Sequence, residues 1–146
     1  MIRWTKSRFE DEIAEFKRVV IEFVGDDDKD SLNYLKSEYA KSRITDLQDN
    51  VWKILQNSGS WEVNSFNDLF KNMKKDNVKR DVSRIMTQFI GKGAVNDWSG
   101  RVECPIILLA PGNKPYHYNL IAGNTRLTAA RALGIRPKVV IIRTDW

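Results

Sequence analysis

A glycine followed three residues later by an arginine, where an apolar run meets a helical pattern, is the arrangement in this sequence best suited to holding an anion. It lies at Ile121-Ala122-Gly123-Asn124-Thr125-Arg126. Gly123 turns the backbone without a Cβ and admits a ligand close to the main chain. The first N–H groups of the following helix have no intrahelical acceptors, and the helix dipole adds partial positive charge there. A phosphate is the natural occupant of such a turn. Arg126 falls in the first helical turn, where its planar fork can hold two phosphate oxygens at once. Asn124 or Thr125 can cap the helix and also touch a ligand or a magnesium-bound water.

Phosphoryl transfer at this turn would also need a carboxylate to hold magnesium or to accept a proton. Residues 96–146 offer Asp97, Glu103 and Asp145. Glu103, just before an apolar run, is the choice for that role, with Arg101 nearby to meet a terminal phosphate. His117 is the only histidine. It reads either as a packed or surface side chain, or as a general base or phosphate contact. No clustered His, Asp or Glu set with metal-ligand spacing is present. Asp26-Asp27-Asp28 reads as a solvated linker leading into a helix cap, because adjacent aspartates lack the spaced partners of a calcium loop. The single cysteine, Cys104, excludes a disulfide framework and a cysteine-cluster metal site, and implies a reducing, cytoplasmic setting.

The elements that must position these groups follow from hydrophobic periodicity. Phe9, Ile13, Phe16, Val20 and Phe23 recur at helical spacing, with Ser7 and Glu10 as a capping box and Gly25 as a stop. A second helix is predicted from Asp30 or Ser31 to about Arg43. A third is predicted from Thr45, capped with Gln48, as far as Asn57-Ser58-Gly59. Two more carry Phe66–Met73 and Val78–Ile90. Lys71, Lys74, Lys75, Lys79, Arg80 and Arg84 form a basic cluster on these last two, either a solvated surface or a track for a phosphate backbone. The pattern then changes. Cys104–Leu109 and Tyr116–Ile121 read as a hairpin around the Pro111–Pro115 turn, Asn124–Leu133 as a helix ended by Gly134, and Lys138–Arg143 as a buried strand.

Length and composition frame this reading. The chain has 146 residues, 42% hydrophobic and 29% charged, with no apolar stretch long enough for a membrane span and no signal-peptide pattern at Met1–Lys6. The formal charge of +5 is concentrated at the C-terminal end, where residues 96–146 carry seven Lys and Arg against three Asp and Glu. An anionic partner, nucleic acid or nucleotide, would be drawn there, although such an excess also serves solubility.

The run Tyr118–Gly134, a strand leading into Gly-x-x-Arg-x-x-Ala-Ala and then Leu-Gly, resembles the core of the ParB/sulfiredoxin superfamily. Cys104-Pro105-Ile106-Ile107 is similar to that family's Pro-Ile strand. The resemblance covers residues 102–143 well and 78–146 loosely. It implies an α+β fold, a small sheet with helices, over residues 78–146; the helices that periodicity predicts over residues 1–77 have no counterpart in it and form an all-helical N-terminal extension. It also implies nucleotide binding, with the phosphates at Gly123, Asn124, Thr125 and Arg126. Family members differ in the two residues inside the turn: Glu-Arg in ParB partition proteins, Cys-His in sulfiredoxins, His-His in the related free-serine kinases. Asn124-Thr125 matches none of these. Sulfiredoxin chemistry needs a thiolate in the turn, and Cys104 lies on another strand.

The expected function is binding of a nucleoside triphosphate or diphosphate, ATP or CTP, with magnesium. Hydrolysis or phosphoryl transfer by an NTPase or phosphotransferase would extend it. The alternative is a DNA-associated protein or small nuclease whose turn grips a backbone phosphate. The small size, the helical extension and a family core without its usual appendages suit a bacteriophage or mobile-element protein.

Overall fold

The computed structural model describes residues 1–55, 88–89, 99–112 and 117–146. The elements are β1 (Arg3–Thr5), a 3₁₀ turn (Phe9–Glu12), α1 (Ile13–Val24), α2 (Lys29–Lys41), β2 (Ile44–Asp46) and α3 (Asp49–Ile54). After these come β3 (Arg101–Glu103), β4 (Ile106–Ala110), β5 (His117–Ala122), α4 (Asn124–Leu133) and β6 (Lys138–Arg143). The class is α+β. The main sheet has the order β2-β6-β4-β5, and β1 pairs with β3 in a two-stranded sheet. Strands β4 and β6 run parallel, while β4–β5 and β2–β6 are antiparallel. No helix of the described residues is long and apolar enough to cross a membrane.

The C-terminal half folds as its patterning dictates. The β4–β5 hairpin, α4 and β6 form where periodicity places them, and α4 ends at Gly134 in the left-handed region. Alternation along the strands gives the sheet two apolar faces. On one, Ile106, Leu108, Val140 and Ile142 meet Phe16, Val19 and Val20 of α1 and Leu35 and Tyr39 of α2. On the other, Ile107 and Val139 meet Leu127 of α4 and Val51 of α3. The adjacent Ala129 and Ala130 carry too little bulk to hold α4 off its neighbours, and they pack beside Val102 of β3.

The N-terminal part departs from an all-helical extension. Residues 3–5 form a strand that pairs in parallel with β3, Trp4 standing opposite Val102. Residues 44–46 form a second strand on the edge of β6, so Thr45 is not the cap of a third helix. That edge would otherwise leave a row of backbone groups unpaired, and the β-branched Ile44 and Thr45 suit a strand. Helix α3 starts only at Asp49, after Gln48. The capping box expected at Ser7 and Glu10 is also absent. Ser7 is buried with its hydroxyl 3.4 Å from that of Tyr39, whose own O–H donates to the Ser7 carbonyl at 2.5 Å. The acidic triplet does lead into a cap. Asp28 accepts from the Asp30 amide at 3.2 Å and from the Ser31 hydroxyl at 2.7 Å.

The boundary expected at residue 77, the helices at Phe66–Met73 and Val78–Ile90, and the basic cluster from Lys71 to Arg84 lie outside the described residues, apart from helical Gln88 and Phe89. The described residues on either side of that boundary share one core. Phe16 is fully buried and stacks on Phe9 at 4.3 Å, and Tyr39 meets it edge-on at 5.3 Å. Truncation of such an aromatic removes about 3–5 kcal/mol. Phe16→Ala is therefore expected to lower stability by about that amount in one cooperative urea transition, with α1 and the sheet melting together by circular dichroism and tryptophan fluorescence.

Candidate functional site

Strand β5 delivers the chain to the turn with a local irregularity. The β4–β5 register steps from Ile106↔Ala122 to Ile107↔Leu120, which leaves Ile121 as a bulged residue immediately before the turn. Gly123 then adopts φ +96° and stands at the N-cap of α4. A Cβ there would lie 2.9 Å from Cα of Pro105. Glycine is thus required twice, by the left-handed backbone and by the proline packed against it. The space expected for a ligand on that side of Gly123 is filled by Pro105. Gly123 contributes no side-chain cap, and the first helical bond runs from the Leu127 amide to the Gly123 carbonyl.

Arg126 turns back from this first helical turn toward two carboxylates. Its Nη2 lies 3.3 Å from Oε1 of Glu12, and its Nη1 lies 3.5 Å from Oε2 and 3.2 Å from the carbonyl of Glu103. Glu12 and Arg126 are 15% and 17% exposed, and Glu103 is 48% exposed. Glu103 is on β3, two residues from Arg101, and the alternation along β3 places both on its exposed face. Arg101 makes no ion pair among the described residues.

The remaining expected residues divide by position. Asn124 and Thr125 begin α4, and the Asn124 carbonyl accepts from the Thr128 hydroxyl at 2.8 Å. His117 opens β5 at the far end, opposite Ala110, about 20 Å of strand away from Gly123. The fold therefore gathers Glu103, Gly123, Asn124, Thr125 and Arg126 but not His117. Cys104 is buried, its amide donating to the Thr5 carbonyl at 2.8 Å, and burial pushes its thiol up to about 11.

Two residues of this site carry no signature in the sequence. Glu12 reaches Arg126 across 114 positions, and Arg18 of α1 donates to the Ile121 carbonyl at 3.2 Å, just ahead of the turn. Helical spacing puts Glu12, Glu15 and Arg18 along one side of the same segment, but nothing local says which surface that side covers. Burial holds the Glu12 carboxyl above its ordinary value, opposed by the Arg126 charge and reinforced by Glu103 and Glu15.

No protein-family model, curated protein or solved structure matches this chain.

Two expectations follow from this electrostatic arrangement. Glu12 binds more protons folded than unfolded, so its contribution to stability is full below the ordinary glutamate range and declines as pH rises through its raised midpoint. Arg126→Met removes the charge that opposes burial, so carboxyl NMR should show the Glu12 midpoint moving further upward. Separately, the raised Cys104 thiol leaves little thiolate near neutrality. The native protein should react with iodoacetamide on the order of 100-fold more slowly than the unfolded chain.

Proposed function

We propose that the chain binds a nucleoside triphosphate or diphosphate with magnesium at the Gly123–Arg126 turn. The observation that carries this reading is the convergence of a guanidinium and two carboxylates at the amide end of α4. The resemblance of the strand–Gly-x-x-Arg–helix segment to the ParB/sulfiredoxin core supports it.

The charges present suit a magnesium-linked phosphate better than a bare one. Glu12 and Glu103 both face Arg126, so the cluster carries one negative charge when its members are ionised. A free phosphate would meet that charge unfavourably at short range. Magnesium is commonly held by one or two carboxylates together with substrate phosphates. Glu12 and Glu103 are the side chains that would hold it, and the ion would neutralise phosphate charge. Among the described residues no group of three His, Cys, Asp or Glu side chains forms a metal cage, so the phosphates themselves would complete the coordination.

Within this reading the residues have separate tasks. The α4 amides and Arg126 bind and orient the phosphates. Arg18, fixed on the Ile121 carbonyl, holds α1 against the end of β5 and thereby positions Glu12. Glu103 is the more exposed of the two carboxylates and is the residue placed to accept a proton if hydrolysis or transfer follows. His117 has no part at this turn.

A thermal-shift and calorimetric screen with ATP, ADP, CTP and GTP in the presence of magnesium tests the proposal. At a ligand concentration of about 100 times the dissociation constant, stabilisation by roughly 2.7 kcal/mol is expected. The matched variant is the double substitution Glu12→Gln with Arg126→Ala, which avoids stranding a buried carboxylate. Loss of the shift in that variant, with its circular dichroism unchanged, supports the assignment. No stabilisation by any of the four nucleotides, or the same stabilisation in the double variant, overturns it.

A further inference from the structure

Among the described residues, the face of the main sheet that α3 and α4 cover is open toward the start of β5. There Tyr118 and Ile141 are only half-buried, and a cleft of about 400 Å³ lies between the end of α2, β2, the start of α3 and the sheet. Small-molecule sites begin at about 300 Å³. Its floor is Tyr118, Ile141 and Val51, and its charged lining is Lys41, Arg43 and Arg143 with the carboxylates Glu38 and Asp46.

The cations of this cleft are not all satisfied by their neighbours. Lys41 is 3.3 Å from Glu38, and Asp46 is 3.7 Å from Lys138, which lies outside the cleft. The side chains of Arg43 and Arg143 have no ion pair or hydrogen bond among the described residues. The β2–β6 register brings them together. Ile44 stands opposite Val140 at the end of the pairing, Arg43 lies one residue beyond it, and Arg43, Ile141 and Arg143 all line the cleft. Two guanidinium forks above an aromatic and aliphatic floor match an anion attached to an apolar body.

We propose that this cleft is a second binding site, for a small phosphate monoester whose organic part is flat and apolar. Three terminal oxygens let a phosphate engage both arginine forks at once, whereas a carboxylate offers two. Tyr118 and Gly123 are five strand residues apart, about 17 Å. The site is thus separate from the turn and does not depend on the nucleotide reading.

Phenyl phosphate titrated into the full chain, followed by amide NMR and calorimetry, tests this. Saturable shifts around Tyr118 and Ile141 are expected, with a dissociation constant on the order of 1 mM or tighter. Arg43→Gln and Arg143→Gln should each weaken binding about tenfold, while the double variant at Glu12 and Arg126 leaves it unchanged. The two arginines are exposed, and unchanged unfolding midpoints would show that the fold persists in both. Absence of saturation, or binding that survives both arginine substitutions, overturns the proposal. Equal binding of benzoate overturns the preference for phosphate. Binding of duplex DNA that needs Arg43 and Arg143 but is not displaced by phenyl phosphate replaces the small-molecule site with a nucleic-acid surface.

Discussion

The ion pair between Arg126 and Glu12 joins the first turn of α4 to the segment that opens α1, and Glu103 ties the same guanidinium to β3. Both members of the pair are more than four-fifths buried, so neither can lose its partner and simply hydrate. Removing one side of such a pair typically destabilises by about 3–5 kcal/mol, far more than an exposed surface pair contributes. Three segments distant in the chain therefore have a common point at which their relative positions are fixed. That point also lies at the amide end of the helix, where charge has the greatest chemical consequence.

The packing around this pair explains why it is tolerated. Pro105 fills one side of the turn, against Gly123, and Cys104 is buried beside it. Phe16, Tyr39 and Phe9 close the core beneath α1, and Lys6 lies 4.4 Å over the Tyr39 ring while donating to the Tyr39 and Ser42 carbonyls. The polar groups that enter this region thus have backbone or aromatic partners. Arg131 shows the same logic on the other side of α4. Its guanidinium lies 3.7 Å over Trp52 and donates to the Trp52 carbonyl at 2.7 Å, which ties α4 to α3 although burial pulls its pKa down to about 10.

Much of this arrangement was legible in the sequence, and the limits have physical causes. Strand β6 and helix α4 are long enough for periodicity to mark them, and glycines bracket α4. The hairpin was marked by a turn cluster between two apolar runs. Strands β1, β2 and β3 have three residues each, too few for alternation to be distinguished from chance. Their formation depends on partners far away: Arg3 pairs with Arg101 and Ile44 with Val140. Thr45 shows the conflict most clearly, because a good local helix cap was outweighed by an open strand edge. At the site, Gly123 and Arg126 stood out because only three positions separate them. Glu12 did not, because its role comes from tertiary packing, and the distance of His117 from the turn depends on where the hairpin begins.

The parallel pairing of β1 with β3 has a consequence for the order in which the molecule is made. Synthesis proceeds from the N-terminus, so Arg3–Thr5 emerges almost a hundred residues before the strand it must join. The α1–α2 segment can gather Phe9, Phe16 and Tyr39 through sequence-near contacts at an early stage. The apolar surface of α1 that belongs against β4 and β5 must wait, and so must Trp4, whose ring meets Phe89 at 6.0 Å. The last strand, β6, supplies the centre of the main sheet as well as the pairing edge for β2. Completion of the sheet is therefore a late, long-range event, and a nascent chain halted before Lys138 would hold its helices without the surface that orders them.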